Sequence, residues 1–98
     1  MNANHYQLCR QIGTALEVRN ASVTTAESCT GGGVARAITA VPGSSNWFGY
    51  GFVSYANRAK QNLLSVSAQT IEQHGAVSEA VVGQMAAGAL AASGADYA

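Results

Sequence analysis

Apolar and polar residues follow one another along this chain with a period that changes several times. Over residues 5–18 the apolar positions Leu8, Ile12, Ala15 and Leu16 recur at helical spacing, which predicts an amphipathic helix with those side chains inward. Arg19 and Asn20 end it. Residues 21–26 are short and partly β-branched between polar flanks, a strand pattern. Helical spacing returns over 34–41 until Pro42-Gly43 stops it. Ser44 or Ser45 is placed to cap a short helical piece holding Trp47 and Phe48. Residues 49–55 read as a second strand, aromatic and β-branched but loosened by two glycines. Two short helices follow over 56–64 and 67–74, the second ended by Gly75. Ser78 caps a longer helix over 79–93, with Val81, Val82, Met85, Ala86, Ala89 and Leu90 inward.

Helices alternating with strands predict an α/β fold built on a layered, mainly parallel sheet. Two strands make a poor sheet for so many helices. Residues 94–98 read as a turn into a third strand that is cut off, so the chain is expected to be incomplete at its C-terminus, with an apolar edge or face left open. The Ala-rich last helix is the expected under-packed element.

Composition narrows the functional classes. The 98 residues make one small domain, and an apolar fraction of 48% suffices for a core. Formal net charge is zero with 10% charged residues, so the basic stripe needed for direct contact with nucleic acid or an anionic membrane is missing. No apolar run approaches the ~20 residues of a membrane span, and the polar opening 1–5 lacks a signal-peptide pattern. Cys9 and Cys29, without framework spacing, point to a reducing cytoplasm. With His5 and His74 they show no paired zinc spacing, and no metal is expected.

The chemistry concentrates where the first strand meets the next helix, at Glu27-Ser28-Cys29-Thr30-Gly31-Gly32-Gly33. Such a turn presents a hydroxyl and a thiol beside backbone N–H groups with no helical partner, suiting a phosphate or a developing oxyanion. The only lysine, Lys60, follows the second strand as Ser28 follows the first. Strand ends of a parallel sheet share one edge, so a Ser-Lys pair is reasonable, with Tyr55 to relay a proton or hold the lysine. For Lys60 to act as base it must be neutral, which burial and nearby cations favour. Blander readings stand beside these: Ser28 as a helix cap, Lys60 as a solvated residue, Cys29 as a small buried hydrophobe, and Glu27 paired with Lys60 or Arg58 or at the rim. The glycines match neither a Walker loop nor a dinucleotide fingerprint.

Four stretches carry a resemblance: 25–32 (TAESCTGG), 42–45 (PGSS), 51–57 (GFVSYAN) with Ala59-Lys60, and 74–79 (HGAVSE). In this order they resemble the C-terminal domain of competence/damage-inducible CinA proteins, whose stand-alone form is the nicotinamide-nucleotide amidase. The resemblance covers nearly the whole chain, although family members continue into a Gly-rich VTGIAGP-type loop and further strands. It implies residues 1–98 as a single, partial amidase domain of a three-layer α/β/α sandwich. It implies deamidation of nicotinamide mononucleotide, with Ser28 as nucleophile assisted by Tyr55 and Lys60. Thr30, Gly31, Gly32 and Asn57 are the expected substrate and oxyanion contacts, with N–H groups near Ser28 and Thr30-Gly31 holding the oxyanion. No cofactor is needed, and a cytoplasmic homo-oligomer acting on a small pyridine nucleotide is expected. The alternative is a non-catalytic nucleotide- or partner-binding module that uses the same helix N-terminus as a phosphate cradle.

Overall fold

The computed structural model describes residues 3–98; Met1 and Asn2, part of the polar opening, lie outside the described residues. Two strands, β1 (Val23–Glu27) and β2 (Phe48–Val53), run parallel, with Thr25 opposite Gly51 and Glu27 opposite Val53. Beyond β2 the ladder gains one rung, as the Ser54 N–H donates to the Glu27 carbonyl at 2.8 Å. On the other edge of β1, Tyr97 forms a parallel bridge with Val23, and the Thr24 N–H donates to its carbonyl at 2.9 Å. That isolated bridge is what residues 94–98 add to the two-stranded sheet, and it places β1 between β2 and Tyr97.

Helices cover both faces, giving three layers. On one side α1 (Ala3–Arg19) and α2 (Gly33–Thr39) enclose a core of Cys9, Leu16, Ile38, Val41 and Trp47. On the other, α3 (Asn57–Leu64), α4 (Ala68–His74) and α5 (Glu79–Ser93) enclose Leu64, Val66, Val81, Met85 and Ala89. Phe48 serves the first core and Phe52 the second, although residues four apart on a regular strand share a face. The register shift between Val23 and Thr25 explains it: β2 spends one extra residue there, which turns the following side chains over.

Three expectations change. On α1 the buried residues are Cys9, Gly13 and Leu16, while Leu8 and Ile12 are 54% and 38% exposed and Ala15 is also exposed. Trp47 rotates the inward face, because its indole lies so close to α1 that a Cβ at Gly13 would come within 2.5 Å of its ring. Trp47 and Phe48 are not in a capped helix: a 3-10 turn, Ser44–Asn46, starts at left-handed Gly43 without a side-chain cap, and Phe48 already belongs to β2. Nor is α5 under-packed, since Val81 and Ala89 are completely buried; Val82, expected inward, is exposed. Exposed apolar side chains are spread over several elements, among them Leu8, Ile12 and Val18 on α1, Leu63 on α3, and Val77 and Val82. The Ser78 cap holds as expected, its hydroxyl accepting from the Val81 N–H.

Candidate active site

Ser28 directly follows β1, and Lys60 sits in the first turn of α3, which follows β2 after a short link. Parallel strands bring both to one edge of the sheet. The Lys60 Nζ lies 3.1 Å from Ser28 Oγ and donates to the Tyr55 carbonyl oxygen at 2.9 Å. Lys60 is only 3% exposed, and its hydrogen-bond partners are a hydroxyl and a carbonyl. Tyr55 therefore holds the lysine through its backbone. Tyr55 itself is 74% exposed, and it lines the cleft. Ser28, Thr30, Tyr55, Asn57 and Lys60 line one cleft of about 640 Å³, whose opposite wall is apolar, from Val77, Val82, Met85 and Ala86.

Glu27 is neither at the rim nor paired with a cation. It is 4% exposed, and its two carboxylate oxygens accept from the Val34 and Ala35 N–H groups at 2.8 and 2.9 Å. The N-terminus of α2 is thereby filled from within, which removes the donors that a phosphate cradle would use there. Burial works to raise the Glu27 pKa, but hydrogen bonds from Val34, Ala35, the Thr30 side chain and the Gly32 N–H outweigh it and hold the carboxyl below its ordinary value. A depressed carboxyl stabilises the fold above its unfolded pKa of about 4.3, and that contribution is lost as pH falls through the lower folded value. Glu27→Gln should therefore flatten the acid side of a melting-temperature profile recorded from neutral pH downward. A variant profile parallel to the wild type would contradict this.

Within the turn, the Gly31 N–H donates to the Ser28 carbonyl at 3.0 Å and the Gly32 N–H to Glu27. The two glycines expected as oxyanion contacts thus spend these donors internally, and neither lines the cleft. Both adopt left-handed backbone, with φ of +59° at Gly31 and +104° at Gly32, which glycine tolerates without strain. Among the described residues, the Cys29 and Thr30 N–H groups have no hydrogen-bond partner.

Cys29, expected to face the core, is exposed and lines the cleft, whereas Cys9 is buried. The turn projects consecutive side chains to the same opening because it is neither strand nor helix. Titrating the native protein with an aromatic disulfide should label Cys29 promptly and Cys9 only after denaturation. Equal labelling of both thiols would contradict the placement.

A family model, the CinA C-terminal domain, matches residues 5–98. The chain belongs to that family. Within the CinA family it is 60% identical over 92 residues to the nicotinamide-nucleotide amidohydrolase PncC of Escherichia coli K12, covering 94% of this chain and 56% of the relative. A putative competence-damage inducible protein of Symbiobacterium thermophilum is 56% identical over 91 residues, covering 93% of this chain and 21% of the relative. The crystal structure of the competence damage-inducible protein A of Klebsiella pneumoniae superposes with a TM-score of 0.92 at 42% identity, covering 94% of this chain and 57% of that one. The chain thus spans a little over half the length of the PncC relative. Among the described residues, no helix is long and apolar enough to cross a membrane.

Proposed function

We propose that this chain carries the nucleophile and base of a nicotinamide-nucleotide amidase, converting nicotinamide mononucleotide and water to nicotinate mononucleotide and ammonia. The observation that carries the reading is the 3.1 Å approach of Lys60 Nζ to Ser28 Oγ in a cleft fit for a small molecule. With the amine neutral, one N–H goes to the Tyr55 carbonyl and the lone pair is free for the Ser28 hydroxyl proton. Ser28 Oγ attacks the carboxamide carbon as its proton passes to Lys60. The Cys29 and Thr30 N–H groups are the donors assigned to the resulting oxyanion. The intermediate collapses with loss of ammonia, to which the exposed Tyr55 phenol hands a proton; the proton held by Lys60 then passes through water to the phenolate, which leaves the amine neutral again. Water then attacks the ester, Lys60 takes its proton, and the acid leaves with Ser28 restored.

Thr30 and Asn57 line the cleft and serve as substrate contacts, and the apolar wall faces the pyridine ring. On this reading residues 1–98 act as one partial amidase domain in the cytoplasm, without cofactor. Further copies of the chain in a homo-oligomer would cover the apolar residues exposed on α1. Names of the PncC relatives support the substrate class. The test is ammonia release from nicotinamide mononucleotide by the 98-residue chain. Release above a boiled control supports the reading; none at high enzyme concentration would overturn it for this chain. Tyr55→Phe should lower kcat by about 10²-fold if the phenol supplies a proton, the usual share of one acid–base group. An unchanged kcat would remove Tyr55 from the scheme.

A further inference from the structure

We propose that Glu27 is a positioning residue for Ser28, its buried carboxylate clamping the 28–33 turn so that Ser28 Oγ stays against Lys60. The inference rests on the amidase reading above for its catalytic consequence, but the clamp itself is a matter of geometry. Glu27 immediately precedes the serine, and its backbone is fixed to β2 through the Ser54 N–H at 2.8 Å. Its carboxylate oxygens reach past the whole turn to the Val34 and Ala35 N–H groups at 2.8 and 2.9 Å. Thr30 and Gly32, inside the turn, also act on the same carboxylate, each lowering its pKa. One side chain therefore ties the strand, the middle of the turn and the start of α2 together.

Little else holds the turn. A Cβ at Gly31 or Gly33 would meet nothing within 4 Å, and at Gly32 it would meet only Val53 Cγ2 at 3.7 Å. Three successive glycines without packing sample many conformations unless hydrogen bonds restrict them. The internal bonds of the turn, Gly31 to Ser28 and Gly33 to Thr30, close loops within it but fix neither end to the sheet. That anchoring falls to Glu27. A carboxylate suits the place, because it accepts from several N–H groups at once and carries the charge favoured at a helix N-terminus. The amide of a glutamine has the same shape but a single acceptor oxygen, and it turns an NH2 group toward donors.

The test is Glu27→Gln, assayed with nicotinamide mononucleotide at a temperature where both proteins are folded, alongside amide hydrogen exchange. The expected result is a kcat lower by about 10²-fold with KM little changed, since a misplacement of ~1 Å at the reacting atom has that effect. The Val34 and Ala35 amides should exchange faster while the Ile38 amide keeps its rate. A carboxylate that only stabilised the fold would lower the melting temperature and leave kcat intact, and that result would overturn the proposal. Unchanged protection at Val34 and Ala35 would overturn it independently. Should Glu27→Gln not fold, Glu27→Asp keeps the charge but shortens the reach to Val34 and Ala35, and is read by the same kcat and exchange measurements, with the same outcomes deciding. A wild-type chain without turnover would count against the amidase reading alone, and the exchange result would then decide whether the clamp exists.

Discussion

Ser28→Ala is expected to reduce ammonia release by at least about 10³-fold, because a hydroxyl nucleophile has no substitute in the reaction. The fold should survive. The Ser28 hydroxyl contacts Lys60 alone among the described side chains, and losing one such hydrogen bond costs only about 1 kcal/mol. Lys60→Met should act nearly as severely while filling the same buried slot with an unbranched side chain of similar length. The double variant should be scarcely worse than either single one, since two groups that act as a unit are not additive. Circular dichroism and kcat measured on the same samples separate the effects. If Cys29→Ala abolished the reaction and Ser28→Ala spared it, the exposed thiol beside the serine would be the nucleophile.

Gly88→Ala is expected to be the most damaging change away from the cleft. A Cβ there would fall inside the Leu64 carbonyl and within 2.8 Å of the Leu64 Cα, so backbone meets backbone and no side chain can yield. Helices α3 and α5 would have to separate, opening the core around Leu64, Val81 and Ala89. Overpacking of this kind costs about 3 kcal/mol, a large part of the ~5–15 kcal/mol that holds a domain of this size together. The damage should also reach the cleft, because Leu64 lies one helical turn beyond Lys60 on α3. Any Gly88→Ala protein that folds should therefore lose activity beyond its loss of stability. Gly83→Ala on the same helix is the control: a Cβ there meets nothing within 4 Å, and exchanging glycine for alanine in a helix should raise stability by up to ~1 kcal/mol. Chemical denaturation of both variants checks the pair. Similar midpoints would mean that α3 and α5 do not approach as closely as described.

What the sequence made legible follows from how local each signal is. Ser78 and Gly94 bracket α5 with a hydroxyl cap and a left-handed stop, so both ends of that helix could be read directly. The Ser28–Lys60 pair was also readable, because two parallel strands each followed by a polar residue place those residues on one edge. The inward face of α1 was not. Apolar spacing favours Leu8 and Ile12, yet the contact is made through Gly13, a residue with no side chain to announce that Trp47 lies upon it. Glu27 was misread for a related reason. Its partners are backbone N–H groups on the far side of a glycine turn, and a list of side chains carries no trace of them. Tyr55 drew attention for its phenol, whereas the atom that holds Lys60 is a carbonyl that any residue could supply.

Capture of the acyl-enzyme decides whether Ser28 is the nucleophile. The protein is mixed with nicotinamide mononucleotide, quenched in acid within the first turnover, digested and mapped by mass spectrometry. The expected result is the substrate acyl group in ester linkage on Ser28, and no adduct in Ser28→Ala. An adduct on Cys29, or full turnover by Ser28→Ala, would contradict it.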